Sequence, residues 1–317
     1  MDIVLLFPGQ GSQKPGMGRD LADEFPAARD TFAAVDEALG APLSRLCFEG
    51  PADELTLTHN AQPALLAHGA AAWAATRSAL APHVRAAAGH SLGEFTAYHA
   101  AGALALAAAA RLVRRRGELM YESGVARPGA MAAILGDTNE PIEAICERAT
   151  AEAGLAVPAN YNSPGQIVIS GEVAGVERAM ELAKGAGAKR AMRLNVSGAF
   201  HSPLMQPAAE GLRDALDAAG LVDAALPVYA NVDGTATTAA AQARSLLLRQ
   251  LTSPVRWTTV VQRLVSDFPG ALFVEVGPGT VLAGLMKKIA PEAQTAPCGT
   301  VADVESLLQR VSECAST

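Results

Sequence analysis

Residues 84–102 read VRAAAGHSLGEFTAYHAAG: a short apolar run, then Gly89-His90-Ser91-Leu92-Gly93, then a stretch with helical spacing. A G-x-S-x-G placed between a strand and a helix has the mechanics of a nucleophile elbow. The sharp turn needs small residues on both sides and presents the serine hydroxyl at a helix N-terminus. A backbone N–H just after the serine then becomes an oxyanion donor. Serine is also a favoured N-cap, a role without chemistry, so Ser91 carries two readings on this evidence.

Working outward, strand-like runs alternate with helix-like ones. IVLLF (3–7), DLADEFPAARDTFAAVDEAL (20–39), AQPALLAHGAAAWAATRSAL (61–80) and VRAAAGHS follow one another in β-α-α-β fashion. That alternation predicts a parallel sheet covered on both faces. From Gly129 a second rhythm starts: MAAILG, PIEAICERATAEAG, LAVPANYN, QIVISG, VAGVERAMELAKGAG and AKRAMRLNV read as β-α-β-β-α-β, the ferredoxin-like order. The chain then returns with a helix in SPLMQPAAEGLRDALDAAG, a strand in PVYANV, a helix in ARSLLLRQL and a strand in ALFVEV ending at GPGT. The expectation is an α/β fold: a large α/β-hydrolase-like domain with a parallel sheet, residues 1–127 and 197–317, and an inserted ferredoxin-like subdomain, residues 128–196.

The loop FPGQGSQ (7–13) follows the first strand and invites a phosphate-binding reading. The dinucleotide pattern G-x-G-x-x-G fails because Lys14 stands where the third glycine belongs, and the P-loop pattern fails because Met17 follows Gly16. A tight turn accounts for the glycines. It leaves Gln10, pinned between two of them, without a role.

At 317 residues, half of them apolar, the chain has ample material for a large core. A net charge of −7 argues against a nucleic-acid or anionic-membrane surface, so an anionic partner must meet a local basic patch. Cys47, Cys146, Cys298 and Cys314 lie far apart without C-x-x-C pairing, against a metal site or disulfide framework and in keeping with a reducing cytoplasm. The N-terminus runs straight into a strand with no basic leader, so no signal peptide is expected. The most apolar window, FTAYHAAGALALAAAARLV, is interrupted by His99 and Gly102 and reads as a buried helix, not a membrane span.

A serine nucleophile needs a positioned base. His68 and His99 sit in apolar helical runs, His83 follows a proline in a connecting turn, and His90 neighbours Ser91 around a bend that separates their side chains. His201, in VSGAFHSPLM, ends the last subdomain strand, where a loop can swing back over the large sheet.

In order and spacing, FPGQGSQ, GHSLGE, RRRGELM, NYNSPGQIVISG, GAFHSPLM, RQLTSPVRW and VEVGPG resemble the malonyl-CoA:acyl-carrier-protein transacylases, the family shared with the acyltransferase domains of polyketide and fatty acid synthases. The resemblance covers essentially the entire chain. It implies that Ser91 becomes a malonyl ester, that His201 is its general base and then acid, and that Gln250 in RQLTSP stands where a triad carboxylate would. Gln10 and Leu92 would supply the two oxyanion-hole N–H groups, which gives FPGQGSQ its task. Arg116 matches the family's substrate arginine, able to grip a malonyl carboxylate with two parallel hydrogen bonds. Three consecutive helical residues span about 200° of arc, so Arg114 and Arg115 are expected on the solvent face. A buried arginine without its carboxylate is costly, which makes acetyl groups poor substrates.

The resemblance further places Phe200 as a bulky ring opposing an α-methyl branch, and Asn160 and Asn162 at the border of the site. Gly277-Pro278-Gly279 reads as a strand-to-helix turn. Because the family's carrier protein is acidic, Lys184, Lys189, Arg190 and Arg193 are candidates for its docking patch. The implied reaction is ping-pong transfer from malonyl-CoA to an acyl carrier protein in fatty acid biosynthesis, by a cytoplasmic monomer with no metal or redox cofactor, nucleic acid or membrane. A free-standing acyltransferase of a polyketide pathway uses the same residues. A serine esterase or thioesterase would share the elbow but give Arg116 no task, and a catalytically silent module could dispense with Ser91, His201 or Arg116, all of which are present.

Overall fold

The computed structural model describes residues 1–196 and 198–315. Among the described residues ten strands form two sheets: β1 (Ile3–Phe7), β2 (Val84–Gly89), β3 (Gly129–Leu135), β4 (Ala156–Ser163), β5 (Gln166–Glu172), β6 (Arg190–Arg193), β7 (Val228–Tyr229), β8 (Ala236–Thr237), β9 (Leu272–Val276) and β10 (Gln294–Cys298). The larger sheet has the order β10-β9-β1-β2-β7-β8, parallel except for the final pair. In β1, Ile3, Leu5 and Phe7 enter one core while Val4 and Leu6 enter the core on the opposite face. Burial on both sides is why this strand is apolar without alternation.

The chain leaves this domain at the end of the helix Leu106–Ala126 and builds an antiparallel sheet of order β4-β5-β3-β6. Ala130, Ala132 and Ile134 of β3 face the helices Ile142–Glu152 and Val173–Gly185 in a separate small core. The alternate residues Met131 and Ala133 turn the other way, toward the large domain, and line the cleft. The two domains are also stitched by backbone: Tyr161 N–H donates to the Val255 carbonyl and Val255 N–H to that of Ala159.

Several local expectations are corrected. The helix read over residues 20–39 is two helices, Arg19–Glu24 and Pro26–Leu39, because Pro26 starts a new first turn more readily than it continues an old one. The strand in PVYANV is only Val228–Tyr229, since Asn231 is drawn into the elbow described below. SPLM forms a single 3-10 turn, Pro203–Met205, closed by the Ser202 hydroxyl, and the α-helix begins at Ala208. Gly277-Pro278-Gly279 joins β9 to the helix Val281–Ile289, where the Glu275 carboxylate accepts from the N–H groups of Leu282 and Ala283. A carboxylate already fills the place an anion would take at that helix start. Cys47, Cys146 and Cys298 are buried apart, and burial pushes each thiol up to about 12. Among the described residues no helix is long and apolar enough to cross a membrane.

Candidate active site

β1 and β2 are neighbours in the parallel sheet, so the loops after them, FPGQGSQ and the elbow, meet at the carboxyl end of the sheet. The elbow's glycines are forced by contact. A Cβ on Gly89 would lie 2.0 Å from the carbonyl of Gly93, and one on Gly93 would lie 2.0 Å from the carbonyl oxygen of Phe7. Ser91 between them has φ 50 and ψ −105, a conformation that L residues seldom hold unless the surroundings enforce it. Asn231 does the enforcing: its Oδ1 accepts from the Ser91 N–H at 2.6 Å and its Nδ2 donates to the Gly89 carbonyl at 2.7 Å. Ser91 occupies the N-cap position but its hydroxyl caps nothing. It lies 2.8 Å from His201 Nε2 instead, the pairing that a serine nucleophile would need.

His201 also has a positive φ, 55, directly ahead of the Ser202 turn. Its Nδ1 is 2.9 Å from the backbone carbonyl of Gln250. A carbonyl only accepts, so Nδ1 carries the proton and Nε2 presents its lone pair to the serine hydroxyl. Gln250 thus orients the histidine through its main chain. Burial, and next the positive charge of Arg116, push the His201 imidazole down to about 3, so it is neutral at physiological pH.

Arg116 is 1 % exposed; Arg115 is exposed and pairs with Glu118 and Glu122, whereas Arg114, expected on the solvent face, is half-buried and donates to Oδ1 of the buried Asn60. Arg116 NH1 donates to Gln62 Oε1 at 2.7 Å, and NH2 donates to Gln250 Oε1 at 2.9 Å and to Ser91 Oγ at 3.2 Å. Among the described residues its Nε has no partner and no carboxylate forms an ion pair with the guanidinium. The guanidinium therefore reaches the Ser91 hydroxyl oxygen with donors to spare. The Gln250 amide nitrogen in turn donates to the Ser91 carbonyl at 3.0 Å and to Glu94 Oε2 at 2.7 Å.

The cleft over these groups encloses about 380 Å³ and is lined by Gln10, Leu92, Arg116, Asn160, Asn162, Phe200 and His201, with Met131, Ala133 and Val168 opposite. A larger hollow of about 450 Å³ lies within the subdomain beside Asp137, Glu140 and Glu143, away from any paired nucleophile. Leu92 opens the helix Leu92–Ala100, where N–H groups have no intrahelical partner. Gln10 lines the cleft as well, and its side chain is tied down by donating to Thr58 Oγ1 at 3.2 Å. Asn162 Oδ1 lies 2.8 Å from His90 Nε2, so His90 links the elbow to the subdomain roof.

Of the basic residues read as a docking patch, Arg193 stands apart. It pairs in register with Ala132 of the helix-covered face and its guanidinium binds Glu177 on the helix Val173–Gly185. Arg190 pairs with Leu135 and so shares the cleft-side face of β3, together with the exposed Met192. Lys184 lies in the last turn of that same covering helix, and Lys189 directly precedes β6. Three buried residues of the site escaped sequence reasoning: Asn231, Gln62 and Glu94. Glu94 sits in GHSLGE, three residues past the nucleophile, yet nothing local shows that it faces inward; Asn231 and Gln62 carry no motif.

The chain matches the model of the acyl transferase domain over residues 4–307. It is 47% identical over 312 residues, 98% of both chains, to the malonyl CoA-acyl carrier protein transacylase of Bacillus subtilis. Among solved structures it resembles the acyl-carrier-protein-S-malonyltransferase of Bartonella henselae, with a TM-score of 0.94 and 42% identity over 98% of this chain and 100% of that one. It also resembles a malonyl-transacylase solved in complex with a type II polyketide acyl-carrier protein, with a TM-score of 0.93 and 40% identity over 98% and 100% of the two chains.

Proposed function

The chain belongs to the acyl transferase domain family, and from that premise we propose how its residues transfer a malonyl group from malonyl-CoA to the phosphopantetheine thiol of an acyl carrier protein in fatty acid biosynthesis. The observation that carries the assignment of roles is the position of Ser91 Oγ, 2.8 Å from a histidine lone pair and 3.2 Å from a buried guanidinium. His201 takes the serine proton as Oγ attacks the thioester carbonyl, and returns it to the departing coenzyme A sulfur. The carrier thiol then attacks the malonyl ester with His201 again as base. The Gln10 and Leu92 N–H groups face the transient oxyanion; losing one such donor costs about 2.7–4 kcal/mol in the barrier.

The malonyl carboxylate does more than bind. Arg116 is the second largest cause of the weak basicity of His201, after burial. A carboxylate bonded directly to Arg116 offsets that charge more fully than Glu94, which reaches the guanidinium only through the Gln250 amide, and so returns proton affinity to the base at the moment it is needed. Acetyl groups leave it depressed, so their defect should fall on kcat as well as KM. Phe200 opposes an α-methyl branch, a discrimination of about 1–3 kcal/mol.

Mixing the protein with malonyl-CoA alone and taking an intact mass beside Ser91→Ala should show one malonyl adduct on the wild type and none on the variant. Free malonate without an adduct would replace this reading by a hydrolase. A free-standing role in polyketide assembly is the second reading, favoured by the likeness to the carrier-bound relative; transfer to fatty acid and polyketide carrier proteins, run side by side, separates the two. For carrier docking we assign Lys189 and Arg190. Reversing both charges should weaken carrier transfer while sparing self-acylation, and equal loss of the two would reject the patch. The same reading takes the protein as a cytoplasmic monomer working without metal or redox cofactor; sedimentation and chelator-treated assays test it.

A further inference from the structure

Beneath the nucleophile lies a carboxylate to which the mechanism above gives no task. Glu94 is fully buried, on the first turn of the elbow helix. Its Oε2 accepts from Gln250 Nε2 at 2.7 Å and from the Asn231 N–H at 3.1 Å, while its Oε1 has no partner among the described residues. The Gln250 amide lies between this carboxylate and Arg116: its nitrogen donates to Glu94 and its oxygen accepts from the guanidinium. Because an ionised carboxylate only accepts, Glu94 dictates which end of the amide faces which way. Were the amide reversed, its nitrogen would point at a guanidinium that also only donates.

We propose that Glu94 is a positioning residue and the resident counter-charge of Arg116, relieved of that second role when the substrate's carboxylate arrives, so that malonyl loading is coupled to proton uptake at Glu94. The inference rests on malonyl transfer as the reaction. Two carboxylates cannot both stay ionised around one buried guanidinium without strong repulsion. The free Oε1 provides the outlet: a proton placed there breaks no hydrogen bond, since both donors act on Oε2. The surroundings agree. Burial raises the Glu94 carboxyl to about 7, with the hydrogen bonds from Gln250 and Asn231 and the charge of Arg116 opposing and Asp233, in the loop beyond β7, reinforcing. Tyr98, one turn along the same helix, keeps a buried hydroxyl without a partner. From the helix Thr58–Leu80 the site receives neutral Gln62, while His68 on that helix is bonded to the Gly299 carbonyl. His201 and His90 are held neutral by burial.

The decisive experiment loads the full-length protein with malonyl-CoA in a weakly buffered indicator solution at about pH 7.5 and counts protons, with an intact mass on the same sample. The wild type should take up a proton as it acylates, up to one per site. Glu94→Gln keeps an oxygen where Oε2 sits and should acylate with almost no uptake. Its kcat/KM for malonyl-CoA should also lose the several-fold decline that the wild type shows as pH rises past neutrality. Glu94→Leu, folded by circular dichroism, should lose roughly 100-fold in kcat through a misplaced Gln250 and Arg116. No uptake by the wild type, the same uptake and pH profile in Glu94→Gln, or a folded leucine variant with normal kcat would each overturn the proposal; if the leucine variant does not fold, the proton count decides alone. Absence of any malonyl adduct on the wild type is a different result, and it rejects malonyl transfer itself.

Discussion

The two walls of the cleft differ in what they are made of. On the large-domain wall Arg116, His201, Gln250, Glu94 and Asn231 are all buried and joined, with Ser91, by side-chain hydrogen bonds of 2.6 to 3.2 Å. The subdomain wall alternates apolar Met131, Ala133, Val168 and Leu194 with Asn160, Asn162, Gln166 and Asn195, and Asn162 bonds across to His90. Reacting atoms tolerate little misplacement, so the wall that carries them is over-determined by polar bonds. The opposite wall has only to exclude water and admit a pantetheine arm. Its apolar side chains supply that shape without fixed partners, while the bonds that hold the two domains together are made by the backbone of Ala159, Tyr161 and Val255.

This contrast predicts a ladder of effects. Replacing His201 by alanine should lower malonyl self-acylation at least about 1,000-fold in rapid-quench assays, since among the described residues no other proton acceptor is hydrogen-bonded to Ser91 Oγ. Arg116→Lys should reduce kcat/KM for malonyl-CoA by about 100-fold and narrow the preference over acetyl-CoA, because an ammonium cannot make the paired bonds or reach Gln62 and Gln250 together. On the roof, Asn162→Ala should cost only about 1 kcal/mol in urea unfolding by leaving His90 unpaired, with a correspondingly small change in rate. A roof substitution as damaging as one on the floor would erase the distinction.

The smallest effect concerns pH. Burial pushes His68 down to about 4 and His201 to about 3 in the folded chain, whereas both titrate near 6.5 when unfolded. The unfolded state thus binds more protons, and the stability associated with these groups falls as pH drops below 6.5 toward those values. Glu94 acts oppositely: its raised folded value favours the native state at low pH, and that contribution is lost as pH rises through about 7. Thermal scans from about pH 7 to 5 should show a declining midpoint, and His68→Asn should flatten the decline.

Much of the site was open to reading along the chain because its parts are contiguous. G-x-S-x-G is a local turn whose glycines answer to local contacts, and the β-α-β-β-α-β rhythm is a matter of side-chain period. The family resemblance singled out Arg116, and helical arc added that Arg114 and Arg115 could not share its direction. Gln250 was recognised, but its two functions, a main-chain acceptor for His201 and a side-chain bridge from Arg116 to Glu94, are distinguishable only in space. The same limit applies to Arg193, whose face follows from its pairing with Ala132 and not from its place in a basic run.

Order of elements, the elbow, the nucleophile and its reach for a base follow from local propensity and patterning, which neighbouring residues decide among themselves. The pairing of Ser91 with a histidine 110 residues away, the anchoring of the elbow by Asn231, and the enclosure of Glu94 beneath it belong to tertiary structure. They depend on desolvation and charge around each group, and those quantities exist only once the whole sheet has closed over them.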